Sequence, residues 1–420
     1  MSKTDIAALA DAPMDAAAGD RLARRNALIL AFAQALAGAN NTVIVATTGI
    51  IGAVLAGDRA FATVPTSVMV VGMWLGTLPV GALARHYGRR NAYIAGALCG
   101  ATAGLLCAIA VVVASFALLC AGAFFAGLYA AAHQSYRFAA ADTASEAFRP
   151  KAISWVLAGG VFAGLFGPQL VIVTKDLLPP YLFVASYLAQ VVVALIAAAT
   201  MLLLRIPRPA RAAGGGDGGR RLGEIFRQPR LVVAVICGVA SYAMMNLMMT
   251  SAPVAMVDCN HSVTDATLGI QWHVMGMYAP SFITGSLIAR FGVDRIVGVG
   301  LATIAVAALI GWSGITVAHF WSALVLLGIG WNFAFVGATA MVTQCHRPQE
   351  RNRVQAVNDF LVFGTMAVGS FSSGQLLAKF GWTAVTEVVI PVVLVAGAML
   401  VWLVLFAPKS ALAPADRRLG

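Results

Sequence analysis

A chain of 420 residues that is 60% hydrophobic, 11% charged and +0.85 in mean hydropathy excludes a soluble globular fold, because water-exposed domains carry about 25% charged residues. Its formal charge of +11 does not point to nucleic acid, since the basic residues fall in short loops between apolar runs, where they encode topology. Six cysteines form no CxxC pair and five lie in or beside apolar runs, so they read as small buried hydrophobes; no metal and no cofactor is expected.

Residues 1–25 form a polar tail without the apolar core of a signal peptide. A hydrocarbon core of about 30 Å takes roughly 20 apolar residues per helix. Six such runs lie near 27–56, 62–84, 91–113, 116–141, 151–174 and 180–204. Six more lie near 231–256, 267–289, 295–313, 319–344, 353–378 and 383–406. The expected organisation is a tail (1–25), a six-helix bundle (26–204), a linker (205–230), a second six-helix bundle (231–406) and a C-terminal tail (407–420). The fold class is therefore an all-α membrane protein of twelve helices.

Lysine and arginine orient it. Arg21, Arg24 and Arg25 precede run 1, Arg85, Arg89 and Arg90 follow run 2, and Arg149 and Lys151 follow run 4. Seven arginines fill the stretch from Arg205 to Arg230, and Arg290, Arg295, Arg347, Arg351 and Arg353 lie on the same side. The opposite loops offer Arg59, Lys175 and Lys379. Positive residues are retained inside, so both termini and the linker are expected in the cytoplasm, with the chain in the inner membrane. The linker mixes Pro, Gly and Arg as a flexible connector does, and "LGEIFRQP" can form a short amphipathic turn on the inner surface.

The halves echo each other. "GALARHYGRR" at 81 resembles "GSLIARFGVD" at 285, and the same shift of 204 carries Gly160 to Gly364. Repeated halves around a midplane site are the usual plan of secondary transporters. At this point the chain resembles the major facilitator superfamily, whose mark is a Gly-x-Leu-x-Asp-Arg-x-Gly-Arg-basic loop between helices 2 and 3. Gly81, Leu83, Gly88, Arg89 and Arg90 stand in matching places, while Arg85 occupies the aspartate position. Gly167 and Pro168 match the end of an antiporter glycine series, but Ala163 and Ser154 depart from it, which weakens a drug-efflux assignment.

The resemblance implies that helices 1, 4, 7 and 10 line a central cavity. Polar groups inside a membrane are costly and face protein or water. Run 1 offers Gln34 and Asn41, run 4 Tyr129, His133 and Arg137, run 7 Tyr242 and Asn246, run 8 Gln271, and run 10 Trp331 and Asn332. Amides beside aromatic rings suit a flat, polar, partly aromatic solute. His133 exchanges a proton near neutral pH, as coupling requires. The dense methionines of run 7 read as a pliable cavity wall. In the family, the acidic residue of the loop is thought to meet the inner end of helix 11. A charge-reversed latch of Arg85 with Asp359 is therefore expected, with Asp142, Glu146 and lipid phosphates as competing partners.

The expected function is proton-coupled secondary transport of a small, aromatic or heterocyclic solute by alternating access, in a monomer surrounded by lipid. Uptake of an aromatic vitamin such as riboflavin competes with export of drugs or amphipathic metabolites. A membrane-embedded enzyme would need a reactive cluster such as His-Glu-x-x-His, and none is visible. A non-transporting sensor would need an added signalling domain.

Overall fold

The computed structural model describes residues 16–142, 144–145, 148–206, 220–347 and 350–406. Glu146, the tails beyond these limits and residues 207–219 of the linker lie outside the described residues. The first half comprises α1 (Ala16–Leu55), α2 (Val64–Tyr87), α3 (Arg89–Val112), α4 (Phe116–Gln134), α5 (Tyr136–Asp142), α6 (Arg149–Thr174) and α7 (Val184–Met201). The second follows a one-turn α8 (Leu222–Ile225) and comprises α9 (Pro229–Asp258), α10 (Val263–Tyr278), α11 (Ser281–Phe291), α12 (Val293–Ser313), α13 (Val317–Thr343) and α14 (Arg351–Phe406). No strand occurs among the described residues. In lipid each backbone polar group must find its partner within the chain, which a helix achieves alone.

Ten helical segments among the described residues are long and apolar enough to cross a membrane. The twelve apolar runs are recovered because α14 holds two of them, interrupted at Gly381 (φ 78°), and α10 and α11 share another. α1 begins well before residue 27. The residues ahead of that point are strong helix formers, and the extension is pinned: Arg25 Nη2 donates to the Leu203 carbonyl (2.8 Å) and Asn26 Nδ2 to that of Arg205 (2.8 Å).

The packing repeats. α1 lies on α6, α2 on α4, and α3 on α4 and α7; α9 lies on α14, α10 on α13, and α12 on α13 and α14. Gly72 of α2 sits so close to α4 that a Cβ would collide with the Phe124 carbonyl, and Gly276, 204 residues later, approaches the Val325 carbonyl of α13 the same way. The 204-residue echo thus extends to a helix contact. Between halves, α6 packs on α10 and α2 on α14.

One end of the bundle carries the arginine-rich loops around Gly88 and Gly292. At the far end the halves are tied together. Arg59 pairs with Asp258 (2.8 Å), Ser67 Oγ donates to Ser370 Oγ (2.8 Å), and Gln375 Nε2 donates to the Ala60 carbonyl (3.2 Å).

Candidate functional site

A cavity lies between the halves, halfway along the spans. α1 contributes Asn41 and Thr42, α2 Met69 and Met73, and α4 His133. From the other half come Tyr242, Met245, Asn246 and Met249 on α9, Tyr278 on α10 and Met366 on α14. Methionine and tyrosine walls are polarisable and suit a flat ring system.

Some of the polar lining groups are held from behind. Gln34 Nε2 lies 3.4 Å from His133 Nδ1, which leaves the other ring nitrogen, Nε2, without a hydrogen-bond partner among the described residues. The Asn41 side-chain oxygen is likewise unpartnered there, and Asn246 Nδ2 donates to the Met366 carbonyl at 3.4 Å. Tyr242 is braced by Trp331 (5.3 Å between centroids), Phe335 (4.8 Å) and Phe363 (5.9 Å), all edge-on. Trp331 stacks on Phe335 (5.3 Å, 15°), with its buried Nε1 unpartnered among the described residues.

Arg137 follows one turn after His133, beyond a break in which Ser135 Oγ donates to the Ala132 carbonyl (2.9 Å). Its guanidinium lies over Phe138 (4.9 Å). Asp359 comes from α14, in the other half, and is exposed.

Three predicted residues stand elsewhere. Tyr129 turns towards α3, where a Cβ on Gly100 would collide with its ring. Gln271 accepts from Gln169 Nε2 (2.8 Å), joining α10 to α6. Asn332 spends its amide on the gap between α10 and α11. Its Nδ2 donates to the Met277 carbonyl and to Ser281 Oγ, each at 2.6 Å, and its Oδ1 accepts from Thr284 Oγ1 at 2.6 Å. Two wall residues, Tyr278 and Gly160, carry no amide or charge; the spacing that sets Tyr278 on one helical face with Gln271 and Met275 is the signal the sequence carries for the first.

At the arginine-rich end, Gly88 (φ 85°, ψ 158°) and Gly292 (φ 88°, ψ 147°) make the same left-handed turn between spans, a backbone that favours glycine. Arg89 Nε pairs with Asp142 (2.6 Å) and its Nη1 donates to Tyr93 Oη (3.3 Å). Arg85 is exposed, as is Asp359. In the second half, buried Arg230 pairs with Asp294 (3.1 Å) and donates to Gln344 Oε1 (3.0 Å). Arg220, within the linker, grips the wholly buried Glu350 carboxylate through Nε (2.9 Å) and Nη2 (2.8 Å). Those hydrogen bonds pull the Glu350 carboxyl down to about 2.

Two six-helix halves enclosing one cavity define a secondary transporter, and the comparisons agree: the profile of the Major Facilitator Superfamily matches residues 30–280 and 235–419. The chain belongs to that superfamily and is a multi-pass membrane transporter. It is 49% identical over 395 residues to the riboflavin transporter RfnT of Brucella anthropi, covering 94% of this chain and 98% of that one. It is also 28% identical over 388 residues to the uncharacterized MFS-type transporter YddS of Bacillus subtilis, covering 87% of each. Among solved structures, a D323A mutant of the nucleoside transporter NupG shares the fold at a TM-score of 0.70 and 14% identity, over 90% of this chain and 99% of that one.

Proposed function

We propose that this transporter carries riboflavin, or a closely similar flavin, into the cell across the inner membrane, driven by the proton gradient. The carrying observation is the 49% identity to a riboflavin transporter along nearly the whole chain. The cavity supports it chemically: tyrosine and methionine walls suit an uncharged tricyclic ring, and Asn41 and Asn246 suit its polar edge and side chain. Gln34 and Trp331 act from behind this wall, and Asn332 acts by holding the helix break. Arg137 meets the carbonyl-rich end of the ring, where a guanidinium donates well.

His133 is the proposed proton carrier. It borders the cavity, it is buried, and one ring nitrogen has no protein partner among the described residues. Both termini lie in the cytoplasm in this reading, because the arginine-rich end is then inside. The tied far end then faces the periplasm, so the arrangement described above is closed outside. Arg85 and Asp359 form their latch in the opposite state.

Uptake of radiolabelled riboflavin by a flavin-auxotrophic strain expressing the chain tests the reading. Expected is accumulation above the medium that collapses with a protonophore. Absence of uptake by protein present in the membrane overturns it. His133→Gln should abolish accumulation yet leave exchange of external for internal riboflavin; accumulation by this variant would assign coupling to another group.

A further inference from the structure

We infer that Tyr278 is a substrate-contacting, specificity-determining residue, seated against Gly160 and fixed by the break between α10 and α11. The inference rests on the flavin reading above and names what in the cavity selects the size of the ring.

Tyr278 is the last residue of α10 and borders the cavity together with Gly160 of α6, in the other half. A Cβ on Gly160 would stand 2.7 Å from Tyr278 Cδ1 and 2.9 Å from both Cγ and Cε1. The ring therefore rests on the bare backbone of α6, and only glycine leaves it that room. Tyr242, which also borders the cavity, is held in place by three other aromatic rings.

The break determines where α10 delivers Tyr278. In an unbroken helix the Met277 carbonyl would accept from the amide of residue 281. Here it accepts from Asn332 Nδ2, while Ser281 and Thr284 hold the remaining groups of that amide, all at 2.6 Å. The whole Asn332 amide is thus spent on the break. Beyond it α11 buries only Thr284, so the splint, and not packing of α11, sets the end of α10. A Cβ at Gly160 would drive the ring into the cavity, and the lost width would cost a planar tricyclic heteroaromatic more than a bicyclic one.

The full-length protein in detergent, titrated with riboflavin and with the bicyclic lumazine by fluorescence, decides this. Tyr278→Ala should weaken riboflavin binding about tenfold, and Tyr278→Phe far less, because ring stacking is what is lost. Gly160→Ala should push the ring inward and weaken riboflavin much more than lumazine. In the Tyr278→Ala background Gly160→Ala should add nothing, since no ring remains to be displaced. Losses at Gly160 that are equal in both backgrounds overturn the inference, as does full riboflavin affinity in Tyr278→Ala. Should Gly160→Ala yield no folded protein, the riboflavin-to-lumazine ratio in Tyr278→Ala against Tyr278→Phe carries the decision: a lost preference supports the inference and an unchanged one overturns it. If the unmodified protein binds no riboflavin, the functional reading falls and this inference with it; binding with additive losses removes this inference alone.

Discussion

α2 and the α10–α11 pair hold equivalent places in the two halves, yet one runs through a proline and the other stops at one. α2 is helical from Val64 to Tyr87 with Pro79 inside it, whereas α10 ends at Tyr278 just before Pro280. Both seat a glycine, Gly72 or Gly276, against the neighbouring span. The neighbour differs. α13 offers Asn332 to bond the carbonyl that the break frees, while the matching part of α4 offers Leu128 and Ala131, which can bond nothing. A freed backbone group inside a membrane costs several kcal/mol unless it is paired. The break therefore occurs in the half that can satisfy it, and duplication preserved the packing but not the hinge.

The two glycine turns show a second contrast. Gly88 and Gly292 have nearly the same dihedrals, but the ion pair beside each is built the other way round. In the first half the base follows the glycine (Arg89) and the acid comes from the end of α5 (Asp142); in the second the acid follows (Asp294) and the base comes from the start of α9 (Arg230).

The largest effect should come from preventing the halves from moving relative to each other. Ser67 and Ser370 touch across the far end, so cysteines at both positions should form a disulfide under oxidation. Transport should stop completely and return on reduction; an oxidised, cross-linked protein that still transports would mean that the far end does not open. Next comes the unequal burial of the two ion pairs. Arg230→Gln breaks a pair whose base is almost wholly buried and should cost about 3 kcal/mol, whereas Arg89→Gln, at a half-buried pair, should cost about 1 kcal/mol. Thermal unfolding of both variants in one detergent measures this, and equal losses would dissolve the contrast.

Glu350→Gln should cost about 2 kcal/mol at neutral pH, since charge-assisted bonds from Arg220 are lost. The sign with pH follows from a carboxyl lowered on folding. Its contribution is complete above the ordinary glutamate range and is lost as pH falls towards about 2. The unfolding temperature of the unmodified chain should therefore drop more steeply across that acid window than that of the variant. The last effect is the latch, read in transport and not in stability. Arg85→Asp and Asp359→Arg should each slow transport about tenfold, as a shift of roughly 1.4 kcal/mol between two states does, and the double swap should recover part of it. A double variant no faster than the slower single one leaves Arg85 to lipid phosphates.

Much of this architecture was legible in the chain. The apolar runs, the arginine bias and the 204-residue echo name twelve spans in two related halves, because hydrophobic length and loop charge act locally and leave their record residue by residue. The glycine turn at Gly88 and its copy at Gly292 belong to the same record, since a left-handed backbone demands a particular residue at a particular place. Tertiary structure alone decided which polar side chains reach the cavity. Asn41, Tyr242, Asn246 and His133 border it, Tyr129 turns to α3, and Asn332 is taken up by the α10–α11 break. A helix has several faces, and the one that meets solute depends on the tilt and partners of spans hundreds of residues away. Periodicity groups residues by face but cannot say which face looks inward, and so Gly160 and Tyr278, from opposite halves, come together only in the folded molecule.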